Sequence, residues 1–173
     1  MGFLKILLNI ILLPFKIIIY IFKLIFGGIN NKKRIKELKN TDINKIDSLN
    51  GFEFERFVGE IFKAYGFKTR VTQKSGDYGA DIIAYKNGRS YAVQTKMYFS
   101  HTVGNKAVQE AYTAKSYYNT DVAVVFCNSN FSKNAIITAE NLNVVLIGRE
   151  DMINIISKGF DIKKYSLFSY LEN

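Results

Sequence analysis

The sequence predicts an α/β fold: a mixed sheet flanked by helices, in the order α-β-β-β-α-β-α-β-α, with a hydrophobic helix ahead of it. Three observations predict it. Asn87-Gly88 separates two β-rich runs, Ala80–Lys86 and Arg89–Tyr98. Asn-Gly in that setting is a strong hairpin signal, because both turn residues must take φ > 0. Asp121–Cys127 and Asn143–Ile147 are nearly continuous apolar runs, the pattern of strands covered on both faces. Asn50–Tyr65 and Val103–Tyr118 repeat apolar residues at helical spacing.

Length and composition set outer bounds. A chain of 173 residues holds one domain with a sizeable core plus an appendage. Hydrophobic and aromatic contents of 48% and 14% exclude general disorder. The single cysteine, Cys127, excludes an internal disulfide and a Cys-rich zinc site; it ends an apolar run, so buried packing is its expected role. The net charge of +9 is unevenly placed: residues 1–40 hold eight basic residues and one acidic, while the rest holds 16 and 14. Overall basicity is therefore no argument for nucleic-acid binding.

Residues 1–26 read as a membrane segment. Phe3–Phe26 is a run of 24 residues in which only Lys5, Asn9, Pro14, Lys16 and Lys23 are not apolar or aromatic. At about 1.5 Å per residue such a helix can cross a bilayer. Lys16 costs roughly 2.5–3.5 kcal/mol on the insertion scale, but each Leu, Ile or Phe gains about 0.3–0.6 kcal/mol. Lys5, Asn9, Lys16 and Lys23 form one helical stripe. A spanning helix with that stripe snorkelling or facing a partner is favoured over an interfacial helix. A cleaved signal peptide ranks last, since no small-residue cleavage site follows. Residues 27–47 read as a basic linker. Its Lys32, Lys33, Arg34, Lys36 and Lys39 place the remainder of the chain in the cytoplasm by the positive-inside rule, and could also touch anionic headgroups.

A globular domain is expected over 48–157. In Asn50–Tyr65, Phe54, Phe57, Val58, Ile61, Phe62 and Tyr65 share a face, and Gly66 stops the helix. Glu53, Arg56, Glu60 and Lys63 face solvent, while Glu55 falls at the edge of the apolar stripe. Phe67–Gln73 alternates as a strand. The two-residue hairpin loop then fixes the register: Lys86 opposite Arg89, Tyr85 opposite Ser90, Ile83 opposite Ala92 and Asp81 opposite Gln94. Gln94, Lys96 and Asp81 share one face. Opposed Cβ atoms lie about 4.5–5.5 Å apart and the diagonal Asp81–Lys96 pair about 7–8 Å, with Gly79 leaving room for Lys96 to swing toward Asp81. Val103–Tyr118, Asn134–Asn141 and Glu150–Ser157 are the remaining helices. Residues 158–173 show no clear period and form a tail of unassigned role.

A carboxylate, an amide and an ammonium on one patch, with Glu55 near, offer oxygen ligands for a hard divalent ion beside a lysine. Such an ion neutralises charge on a phosphate and lowers the pKa of a bound water, and the lysine orients that water or stabilises the transition state. By spacing alone, an acid and a lysine on adjacent strands are more often a structural pair.

The motifs GFEFERFVGEIFKAYGF, SGDYGADIIA, YAVQTK, VGNKAVQEAYTAKSYY and NSNFSKNA, spread over about Asn50 to Asn154, resemble the Mrr-like restriction endonuclease catalytic domain of the PD-(D/E)xK nuclease superfamily. The resemblance implies a restriction-endonuclease-like α-β-β-β-α-β core and a metal-dependent endodeoxyribonuclease using Mg²⁺ or Mn²⁺ on double-stranded DNA, modified or not. It implies Asp81 as the metal-binding aspartate, Gln94 at the variable Glu/Gln position, Lys96 as the catalytic lysine and Glu55 as the helix glutamate. The Thr95 carbonyl would be a further metal ligand. Gln94 departs from the superfamily's commoner Glu, and a neutral amide binds Mg²⁺ more weakly, so Glu55 should matter more here.

Asp77, Gln109 and His101 are weaker candidates for DNA contact. Asp77 in SGDYG more often stabilises a turn; Gln109 equally suits a solvated helix position; His101 suits a solvated loop. Tyr112, Tyr117 and Tyr118 read as helix packing rather than a base-stacking platform. The rival function is a catalytically weak or inactive nuclease-fold module tethering DNA or a protein partner to the membrane. A homodimer is left open.

Overall fold

The computed structural model describes Leu13, residues 30–72 and residues 78–159. The expected membrane segment, apart from Leu13, and the C-terminal tail beyond Gly159 lie outside the described residues. Among the described residues, no helix is long and apolar enough to cross a membrane.

Among the described residues, ten elements follow the helical residues 30–39: α1 (Ile43–Asp47), α2 (Gly51–Ala64), β1 (Lys68–Val71), β2 (Ile82–Lys86), β3 (Arg89–Lys96), α3 (Asn105–Tyr117), β4 (Val122–Cys127), α4 (Lys133–Leu142), β5 (Val144–Ile147) and α5 (Arg149–Lys158). The sheet runs β1-β2-β3-β4-β5. Its first three strands are an antiparallel meander, while β3–β4 and β4–β5 are parallel pairs, each joined by a crossover helix as parallel strands require. This is the expected α/β fold, a five-strand mixed sheet flanked by helices.

The hairpin has the expected register, with Lys86 opposite Arg89, Tyr85 opposite Ser90 and Ile83 opposite Ala92. Asn87 and Gly88 take φ of 52° and 79°, which is what a two-residue loop demands. Alternation divides the side chains between two layers. Ile82, Ala84, Tyr91 and Val93 join Phe54, Val58 and Phe62 of α2 and Met152 and Ile155 of α5 in one core. On the other face, Ile83 and Ala92 meet Ala80 and Ala114. Ala123, Val125 and Cys127 meet Val108 and Ala111 of α3 and Ala135 and Ala139 of α4. All six residues of β4 are buried, as its apolar run predicts. Burial pushes the Cys127 thiol up to about 12, an inert packing residue.

α2 is well bounded. Asn50 Oδ1 accepts from Glu53 N–H at 3.0 Å and Glu53 Oε2 accepts from Asn50 N–H at 2.8 Å, a reciprocal cap that satisfies two otherwise orphan donors. Gly66 leaves the helix at φ 84°.

The segment expected to be a basic linker, 27–47, differs where it is described. Residues 30–39 and α1 are helical, and Leu38 and Ile46 are buried in the α2 core with Ile35, Ile43 and Leu49 packed beside them. Asp47 at the end of α1 holds Arg149 at the start of α5 through two bonds of 2.6 and 2.7 Å. The Arg149 hydrogen bond holds the Asp47 carboxyl below the usual carboxylate range.

Candidate active site

Asp81 stands immediately before β2, its N–H donating to Val93 O at 2.9 Å. The pleat sends Gln94 and Lys96 to the α3 side of the sheet with Ala92, and Asp81 to the same side with Ile83. One carboxylate oxygen, Asp81 Oδ2, collects three donors: Thr95 N–H at 2.7 Å, Thr95 Oγ1 at 2.8 Å and Gln94 Nε2 at 2.8 Å. Gln94 is 5% exposed, so these bonds also satisfy an amide that would otherwise be costly to bury.

Gln94 Nε2 also lies 3.1 Å from the Thr95 carbonyl oxygen. Its NH₂ group therefore bridges Asp81 Oδ2 and Thr95 O, two oxygens of the kind a hard divalent cation selects. These residues fit such an ion provided the amide rotates and presents Oε1 instead. The set is poor in carboxylates: among the described residues, no group of three or more His, Cys, Asp or Glu is placed to hold a metal.

Lys96 is the last residue of β3, and its Nζ lies 2.8 Å from Glu110 Oε2 on α3. Glu110 is the residue that sequence reasoning missed. The signal was available: Glu110 sits in phase between the buried Ala107, Ala111 and Ala114, on the helix that a β3-α3-β4 crossover lays over the even-numbered residues of β3. Gly79 faces α3 so closely that a Cβ there would sit 2.8 Å from the Glu110 carbonyl carbon.

The other candidates are more scattered. Glu55 is half-buried on α2, the helix that covers the opposite face of the sheet. Gly59, one turn further on, packs against Ile82, the residue after Asp81. Gln109 is exposed on α3, and His101 is exposed in the loop after β3, with Nδ1 2.9 Å from Ser100 Oγ. Asp77 lies outside the described residues. Of the tyrosines expected to pack, Tyr118 does so beside Ala114. Tyr112 is exposed, and Tyr117 is exposed and stacked on Tyr78 with ring centroids 3.6 Å apart.

Comparison with known proteins agrees with this architecture. The structure is similar to that of AF1548, a protein of unknown function (TM-score 0.54, 19% identity, covering 68% of this chain and 72% of that one). It is also similar to AspBHI, a DNA modification-dependent restriction endonuclease (TM-score 0.50, 17% identity, covering 82% of this chain but only 38% of that one). At these identities the likeness is one of fold. No curated protein matches the chain. Residues 46–156 match the Mrr_cat restriction endonuclease family, and with most of the sequence inside that match, the chain belongs to this family.

Proposed function

We propose that the chain is a metal-dependent endodeoxyribonuclease that hydrolyses DNA phosphodiester bonds, anchored in a membrane by residues 3–26 with its catalytic domain in the cytoplasm. The observation that carries the reading is the Asp81 carboxylate, held at the sheet end by Gln94 and Thr95 with Lys96 one step beyond. Family membership supports it.

Mg²⁺ or Mn²⁺, held by Asp81, the Thr95 carbonyl oxygen, the Gln94 amide oxygen and Glu55, would supply charge neutralisation at the phosphate and a water of lowered pKa. The chain's own part is positional. Asp81 is fixed by three hydrogen bonds, so its carboxylate needs little reorganisation when substrate arrives. Lys96 offers N–H donors to a phosphate oxygen on which charge builds. A water oxygen bonds to phosphorus and one P–O ester bond breaks, leaving a phosphomonoester and a hydroxyl. Glu55 comes from the other face of the sheet, so it would join the cluster only around the end of β3.

The test is incubation of the full chain with Mg²⁺ and duplex DNA, unmethylated and cytosine-methylated. Cutting that disappears in Asp81→Ala and Lys96→Ala is the expected result; equal cutting by the variants sinks the proposal. The rival reading, a tether without catalysis, draws on the Gln94 NH₂ group bridging the two oxygens. It expects salt-sensitive DNA binding and no cutting under any of these conditions. Extraction of the full chain from membranes by carbonate would contradict the anchor.

A further inference from the structure

We infer that Glu110 is a positioning residue for Lys96, an inference that rests on the hydrolase reading and gives its lysine a partner. Glu110 Oε2 is buried, and Lys96 Nζ meets it at 2.8 Å as an ion-pair contact rather than an aligned hydrogen bond. The other oxygen, Oε1, looks outward to Lys106 Nζ at 4.0 Å, a side chain that is 87% exposed. Lys96 itself is only 25% exposed at its side chain. The carboxylate thus has an inner cation in the site and an outer one in solvent.

The backbone of Glu110 is fixed by the same region that presents Asp81. Gly79, at φ 89°, packs directly on the Glu110 backbone, an approach only glycine permits. Ala80 packs with Ala114, one turn along α3, and Tyr78 stacks on Tyr117, a further turn on. Residues 78–80 therefore lie along one face of α3, leading straight into Asp81. A single helix sets the approach to Asp81 with its backbone and holds Lys96 with one side chain. The relative placement of the carboxylate and the ammonium is then a property of α3, not of the long, four-carbon lysine stem.

The arrangement leaves Lys96 usable. An ammonium has three N–H donors, and the contact with Glu110 leaves donors for a phosphate oxygen or a water. Glu110 orients Lys96 without touching the reacting atoms, so its removal should act on turnover and not on DNA affinity.

The experiment uses the full chain, with kcat and KM for Mg²⁺-dependent cleavage measured in wild type, Glu110→Ala and Glu110→Gln. Glu110→Ala should lower kcat by roughly 10–100-fold, the scale of lost orienting contacts around a site, with KM unchanged. Glu110→Gln should recover part of the loss, since it keeps the side chain's shape and an electronegative oxygen beside Lys96. Unfolding midpoints of Glu110→Ala, Lys96→Met and the double variant should be non-additive, a readout independent of cleavage. A cutting wild type whose kcat is unmoved in Glu110→Ala, a rise in KM alone, or additive midpoints would each overturn the inference. A wild type that cuts nothing overturns the hydrolase reading itself, and with it the catalytic sense of the Lys96–Glu110 pair.

Discussion

The two sides of the β3–β4 ladder carry opposite chemistries on matching rungs. Gln94 pairs with Val125, Thr95 with Phe126 and Lys96 with Cys127. On β4 every one of these partners is fully buried, and the parallel half of the sheet is sealed by helices on both faces. On β3 the same rungs hold the polar cluster, because β2 starts one residue after Asp81 and leaves its carboxylate at the sheet's end. The difference teaches where this fold can tolerate polar groups. In this hairpin the buried polar side chains, Gln94 and Thr95, sit at the end of β3 beside Asp81, and each is met by a hydrogen bond. The apolar rungs of β4 form a wall that strengthens electrostatic interactions beside it.

Breaking the apolar side should be the most costly change. Phe126, which packs on Phe54 and Phe62, is expected to cost about 3–5 kcal/mol of stability when replaced by Ala, measured by urea unfolding; a loss far below that would mean the β4 side is not the core's centre. On the polar side the effect should fall on function more than stability. Asp81→Ala should reduce cleavage by about 10²–10³-fold, the scale of a lost electrostatic group, while the stranded donors of Thr95 and Gln94 cost only about 1–3 kcal/mol. An unfolded Asp81→Ala protein would reverse that contrast.

Gln94→Glu sharpens the comparison differently. It replaces an N–H donor 2.8 Å from Asp81 Oδ2 with a second carboxylate, so the metal-free protein should lose about 1–3 kcal/mol and recover it as Mg²⁺ is added. Thermal melts with and without Mg²⁺ check this; a variant insensitive to Mg²⁺ would speak against an ion between these oxygens. The smallest effect concerns Asp47 and Arg149. The Asp47 carboxyl titrates below its ordinary range in the fold, so its contribution is present above the unfolded-state value and is lost as pH falls through the folded one. Because the pair is about a third exposed, Asp47→Asn should remove well under about 1 kcal/mol, seen as a shallower loss of stability on acidification.

Much of this could be read from residue order. The Asn-Gly turn alone fixed the rungs that bring Asp81 to Gln94, and that hydrogen bond is present. Other features escaped for physical reasons. Alternation sends the Thr95 side chain to the face opposite Gln94, yet both reach Asp81 Oδ2 because the carboxylate lies beyond the end of the pleat. Glu110 goes unread in the sequence, because its contact with Lys96 depends on how α3 lies over β3. The segment before α2 looked like a linker because its lysines dominate, although Ile35, Leu38, Ile43, Ile46 and Leu49 recur at helical spacing and pack on the core.

The central claim is that the oxygens gathered at Asp81 hold a divalent cation. Anomalous diffraction from crystals soaked in Mn²⁺ tests it most directly. The account predicts a peak between Asp81 Oδ2 and the Thr95 carbonyl oxygen, with the Gln94 amide turned to present its oxygen. No peak there, with the Gln94 NH₂ group still bridging the two oxygens, would contradict it.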